Sequence, residues 1–136
     1  MKEEKHNEIL REVLDEIESA SKDKRGLVSH QRRLAFSLSL GAVTILEIYL
    51  HKLNVIKESS KINHIWFKKK KQTILEYLQN QITSSLNSIE NMQEIISLII
   101  KIEEKRDDLA YGSPSTEENI QEKINFFFKL KNLAKC

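Results

Sequence analysis

Apolar residues recur every three or four positions along most of the chain, which is the spacing of one face of an α-helix. Polar stretches separate these segments, and only three glycines and one proline are present to make turns. The segments predict helices over approximately residues 3–20, 28–53, 65–86, 91–110 and 116–133. We therefore expect an all-α protein, an up-and-down helical bundle of four to five helices, with residues 1–136 forming a single domain.

The second segment is the most apolar part of the chain and allows two interpretations. Its centre reads LAFSLSLGAVTILEIYL from Leu34 to Leu50, with Glu47 as the only charge. The uncharged part, residues 34–46, is shorter than the roughly 20 apolar residues that span a membrane, so a buried core helix is favoured over membrane association. Glu47 and His51 are four residues apart on one helical face, where they can form an ion pair or an acid–base pair.

The charge balance and the single cysteine indicate the compartment and the general class of partner. The 22 basic and 20 acidic residues give a net charge of +2, which is too small to attract nucleic acid over the whole surface. Cys136 is the only cysteine, so there is no disulfide framework, and the first residues lack the apolar core of a signal peptide. We expect a cytoplasmic protein.

The sequence offers no recognisable cofactor or metal site. It contains no Gly-rich phosphate loop, no cysteine pair with zinc spacing and no nucleophile elbow. The histidines also lack metal-binding spacing, and they are His6, His30, His51 and His64. We expect no cofactor and no bound metal.

Aromatic residues beside a basic run form the first candidate binding surface. Trp66 and Phe67 stand near the start of the third predicted helix, where they can stack on bases while the following lysines neutralise phosphates. The alternative is that the aromatic rings anchor the helix and the lysines are merely solvated. The run comprises Lys68, Lys69, Lys70 and Lys71.

Three consecutive phenylalanines form the second candidate surface. Phe126, Phe127 and Phe128 lie in the fifth predicted helix and exceed what one helical face can bury. At least one ring is therefore expected to meet another surface, and we expect these residues at a homodimer interface.

An arginine–acid pair and a tyrosine stand where the fourth predicted helix must stop. Arg106 and Asp107 close its apolar pattern, and Tyr111 precedes Gly112 and Pro114, which do not continue a helix comfortably. This arrangement, followed by a short turn and a capped fifth helix, resembles the HEPN superfamily. Arg106 matches the arginine of the family motif and Asp107 the polar residue after it, whereas Tyr111 stands in the place of the motif histidine.

The resemblance implies both a fold and an activity. HEPN proteins are up-and-down helical bundles that usually dimerise, with two copies of the motif face to face. Many are metal-independent endoribonucleases, often toxins paired with a minimal nucleotidyltransferase that acts as the antitoxin. It therefore implies a homodimer, RNA as a ligand, a nucleotidyltransferase partner, and Arg106, Asp107 and Tyr111 as the catalytic residues.

The tyrosine in place of histidine changes the expected chemistry. Arg106 can stabilise a phosphate through paired N–H donors, but an ordinary tyrosine titrates near pH 10 and is a poor base at neutral pH. We therefore expect RNA binding to be retained and cleavage to be weak or lost. The alternative function is a non-enzymatic homodimeric interaction module, and the third is a membrane-associated protein.

Overall fold

The computed structural model describes residues 3–136, and this part of the chain contains six α-helices. The all-α class is confirmed, and the helix count exceeds the prediction because the fourth predicted helix is divided in two. The helices are α1 (Glu3–Lys22), α2 (Gln31–Lys52), α3 (Lys71–Gln79), α4 (Met92–Glu103), α5 (Arg106–Tyr111) and α6 (Glu117–Leu133). Three short 3-10 helices join them, namely Leu27–His30, His64–Lys68 and Leu86–Ser88.

α2 is the central helix of the bundle and packs against α1, α4, α5 and α6. Every residue from 41 to 50 is buried, which explains why this stretch is apolar on all sides. The segment Leu27–Lys52 is long and apolar enough to cross a membrane, but 78% of its apolar window is buried inside the protein. Within the bundle, α2 therefore packs as a core helix.

The one acidic side chain in the centre of α2 joins three parts of the fold. The buried carboxylate of Glu47 lies 2.8 Å from Nε2 of His6 on α1. It also accepts a hydrogen bond of 2.7 Å from the backbone N–H of Ile62, in the loop after α2. The predicted pairing with His51 is wrong, because the carboxylate points to the α1 side and His51 is exposed.

The third predicted helix, residues 65–86, is wrong over much of its length. Lys69 and Lys70 are extended and separate a 3-10 helix from α3, which is only nine residues long. Only polar residues stand between the buried Phe67 and Ile74, so a continuous helix there would bury no apolar side chain. After α3 the chain instead pairs with the loop that follows α2, through an isolated antiparallel bridge.

The fourth predicted helix, residues 91–110, is broken between α4 and α5. Lys105 adopts a left-handed backbone conformation, with φ of 59°, at the break. The ammonium of Lys123 on α6 donates hydrogen bonds to the carbonyls of Lys101 and Glu104, the exposed end of α4. Burial lowers the pKa of Lys123 in this position. A contact from a distant helix therefore ends α4, and α5 is free to turn toward α2.

The three phenylalanines of α6 lie in different environments. The ring of Phe127 is fully buried, and a Cβ atom added to Gly41 of α2 would lie 2.7 Å from its Cε1. Phe126 is partly buried, and Phe128 is 40% exposed. The prediction that Phe127 lies at an interface is therefore wrong, because its own chain encloses it.

Candidate functional site

Arg106 lies where α5, the 3-10 helix His64–Lys68 and the outer side of α2 meet. Its guanidinium carbon is 4.8 Å from the centre of the Phe36 ring on α2, a cation–π contact. Its Nη1 donates a hydrogen bond of 2.9 Å to Asp107, which also accepts one of 2.8 Å from Lys68. The structure thus brings together Arg106 and Asp107 with one lysine of the basic run.

Tyr111, at the other end of α5, contacts the same Phe36 ring as Arg106. The Tyr111 and Phe36 rings meet edge to face, with 5.9 Å between their centres. The tyrosine ring is 73% exposed, so most of its surface can contact another molecule. Arg106 and Tyr111 therefore frame one aromatic surface.

A buried carboxylate lies directly behind Arg106. Glu103, at the end of α4, accepts a hydrogen bond of 2.6 Å from the hydroxyl of Ser39 on α2. Its other oxygen lies 2.8 Å from Nδ1 of His64 and 4.0 Å from Nε of Arg106. A carboxylate that is 2% exposed is stable only with such partners. A histidine and an arginine thus share one buried acid.

The charge of Arg106 is largely balanced by its neighbours. Glu103 and Asp107 are the carboxylates next to its guanidinium. The hydrogen bond from Lys68 lowers the pKa of Asp107, and the hydrogen bond from Arg106 adds to that effect, so Asp107 is ionised at neutral pH. The buried Nε of Arg106 nevertheless has no hydrogen-bond partner among residues 3–136. The site therefore has an unused donor but no large excess of positive charge.

An open groove of about 440 Å³ runs along α2 beside Arg106. This volume lies within the range of roughly 300–1,000 Å³ that is usual for small-molecule sites. Both apolar and polar side chains line it. Its lining includes Phe36, Leu40, Ser39, Asn63, His64 and Arg106.

Arg106 also lines a second groove, of about 370 Å³. Lys68, Lys69 and Lys105 line it, but so do the acidic side chains of Glu104, Asp107 and Asp108. With the signs so closely balanced, this groove gives only a weak attraction for a polyanion.

The remaining residues of the predicted nucleic-acid surface lie apart from Arg106. Trp66 is partly buried in the core and contacts the ring of Tyr77, with 5.4 Å between the ring centres. Lys70 and Lys71 are exposed at the start of α3. The structural interpretation of Trp66 as an anchor is therefore the one that its packing supports.

The residues from 3 to 136 contain no group of three or more histidine, cysteine, aspartate or glutamate side chains placed to hold a metal ion. The groups gathered around the site are a guanidinium, an imidazole, an ammonium, two carboxylates and two aromatic rings.

No protein-family model matches the sequence, and neither a curated protein nor a solved structure matches it. The resemblance to HEPN proteins therefore rests on the helix layout and on the motif residues around Arg106.

Proposed function

We propose that the protein binds single-stranded RNA in the groove along α2 beside Arg106, as a HEPN-like member of an RNA-directed or toxin–antitoxin-type system. The observation that carries the proposal is the convergence of Arg106 and Tyr111 on the exposed ring of Phe36. An arginine fork suits a phosphate, and two adjacent rings suit unstacked bases.

The geometry supports weak rather than tight binding. Base stacking on Phe36 and Tyr111 does not depend on net charge and is tolerant of sequence. The phosphate contact does depend on charge, and Glu103 and Asp107 offset that of Arg106. We therefore expect modest affinity that falls as salt is raised.

Tyr111→Ala is the cleanest test of this proposal, because the ring is so exposed that its removal leaves the fold intact. Loss of one stacked base costs roughly 1–3 kcal/mol, which is roughly a 5- to 150-fold rise in Kd. Fluorescence anisotropy with a labelled single-stranded RNA at low salt measures it. Phe128→Ala removes an exposed ring elsewhere and is the matched control.

Arg106→Ala is expected to weaken RNA binding as well, because one charged hydrogen-bond donor is lost, at a cost of about 1.5–3 kcal/mol. Arg106→Lys retains the positive charge but loses the paired N–H donors of the guanidinium. It therefore separates the contribution of charge to RNA binding from that of the bidentate hydrogen bonds. Absence of RNA binding by the unmodified protein at low salt would overturn the proposal. So would equal affinities for the unmodified, Tyr111→Ala and Arg106→Ala proteins.

A homodimeric interaction module is the second candidate function, and the distribution of exposed apolar residues favours it. Of the six large hydrophobic residues that are exposed among residues 3–136, two line the groove and two more are next to residues that line it. Phe36 and Leu40 are one helical turn apart, Tyr111 contacts Phe36, and Ile65 follows His64. A second copy of the chain can cover this patch by a two-fold arrangement that also brings two Arg106 residues together.

Leu40→Asp is expected to convert the dimer to a monomer, because the carboxylate would be desolvated at the centre of a buried apolar contact, which is energetically unfavourable. Light scattering at tens of micromolar protein should give twice the 15.9 kDa chain mass for the unmodified protein. Leu53→Asp is the matched control, since Leu53 is similarly exposed just after the far end of α2. An unmodified protein that stays monomeric would contradict this candidate.

A further inference from the structure

We propose that His64, oriented by the buried carboxylate of Glu103, is the base that removes the proton from a ribose 2′-hydroxyl, so that the groove cleaves RNA without a metal. This inference rests on the proposed binding of RNA in the groove. It assigns the role of base to a histidine 47 residues before Tyr111, in place of the histidine that the motif around Arg106 lacks.

The hydrogen bond to Glu103 selects the reactive nitrogen of His64. A carboxylate can only accept, so Nδ1 carries the proton that lies between the two groups, at 2.8 Å. In the neutral imidazole this leaves the lone pair on Nε2. That nitrogen makes no hydrogen bond to any residue between 3 and 136, and it is therefore available to a substrate.

Position and support also suit His64 to this role. Its side chain is 28% exposed and lines the same groove as Arg106. The loop that carries it is fixed two residues earlier, where the N–H of Ile62 donates to Glu47. A base must be held within hydrogen-bond reach of the proton it takes. The backbone contact of Ile62 with Glu47 and the side-chain contact of His64 with Glu103 both help to hold this histidine in place.

Ser39 does not offer a competing nucleophile. Its hydroxyl donates to Glu103 at 2.6 Å, so the hydroxyl hydrogen is directed to the carboxylate and not to the imidazole. In a serine nucleophile site the hydroxyl would be hydrogen-bonded to the histidine. The arrangement therefore has a base and a phosphate contact, and the nucleophile must come from the substrate.

The reaction balances with RNA alone. Nε2 of His64 takes the 2′-hydroxyl proton, the 2′-oxygen forms a bond to the adjacent phosphorus, and the bond from phosphorus to the 5′-oxygen breaks. Arg106 donates to the phosphate oxygens as charge builds on them. The 5′-oxygen takes a proton from water, and the imidazolium gives its proton to the hydroxide left behind. The products are a 2′,3′-cyclic phosphate and a 5′-hydroxyl.

The test compares cleavage and binding of one labelled RNA by the purified full chain and its variants. The unmodified protein should cleave the RNA in the presence of a metal chelator and leave the matching 2′-deoxy strand intact. His64→Ala should lower the cleavage rate roughly 10²- to 10⁴-fold while the Kd for RNA changes less than about threefold. Added imidazole should restore part of the rate, and His51→Ala, which removes an exposed histidine outside the groove, should cleave normally.

Glu103→Gln tests the positioning role of the carboxylate. It should lower kcat and leave KM nearly unchanged, because the substrate contacts remain while the orientation of His64 is lost. RNA binding without cleavage, or equal cleavage by the unmodified and His64→Ala proteins, would overturn the assignment of the base and leave RNA binding standing. Absence of RNA binding would instead reject the proposed function.

Discussion

Replacing Phe127 with alanine is expected to lower the free energy of unfolding by about 3–5 kcal/mol. The ring is fully enclosed, and the close approach of its Cε1 to Gly41 shows how tightly α6 packs on α2. Because helix backbones hold the surrounding side chains in place, the core can fill only part of the space that the ring leaves. A loss of this size is a large part of the 5–15 kcal/mol that is typical for a whole domain.

Denaturant unfolding of Phe127→Ala and Phe128→Ala makes the comparison sharp. The two residues are neighbours on one helix and undergo the same chemical change. Because Phe128 is 40% exposed, its replacement should lower the free energy of unfolding far less. The loss for Phe127→Ala should also be independent of protein concentration. If Phe127→Ala instead had normal stability and weaker self-association, Phe127 would lie at the interface that the sequence pattern predicted.

The helical class could be predicted from the sequence because it depends on the spacing of apolar residues within each segment. The break between α4 and α5 could not. It depends on Lys123, which is distant in sequence and binds the last carbonyls of α4. The failure of the third predicted helix had a local signal, because only polar residues stand between Phe67 and Ile74, where Lys69 and Lys70 are extended.

The candidate site was predictable only where its residues are neighbours in sequence. Arg106, Asp107 and Tyr111 could be identified as a group, whereas their contact with Phe36 depends on how α5 turns toward α2. Lys68 was identified for its charge, and its pairing with Asp107 joins residues 39 positions apart.

Glu103 and His64 were not identified as site residues, for different reasons. Glu103 carries a local signal, since it follows Ile96 by seven positions and Ile99 by four and therefore falls on the buried face of α4. An acid at such a position indicates a buried partner. His64 carries no such signal, because it lies in a loop whose place is set by contacts with Glu47 and Glu103.

Glu47→Ala is expected to destabilise the protein by about 3–5 kcal/mol, as is usual when one partner of a buried pair is removed. Its carboxylate is the partner of both the buried imidazole of His6 and the N–H of Ile62. Both groups would be left in the core without an acceptor, and water can reach neither easily. The change therefore weakens the contact between α1 and α2 and releases the loop that leads to His64.

Thermal unfolding and amide hydrogen exchange measure the two consequences of Glu47→Ala separately. The melting temperature should fall, and the Ile62 amide should exchange faster than the amides in the middle of α2. Glu18→Ala is the control, because it removes an acid from the solvent-exposed pair with Lys22, and it should change the melting temperature little. If the Ile62 amide stays protected in Glu47→Ala, other contacts must hold the loop, among them the hydrogen bond between His64 and Glu103 and the bridge between Ile56 and Ile82. Cleavage by that variant would then be as fast as cleavage by the unmodified protein at temperatures where both are folded.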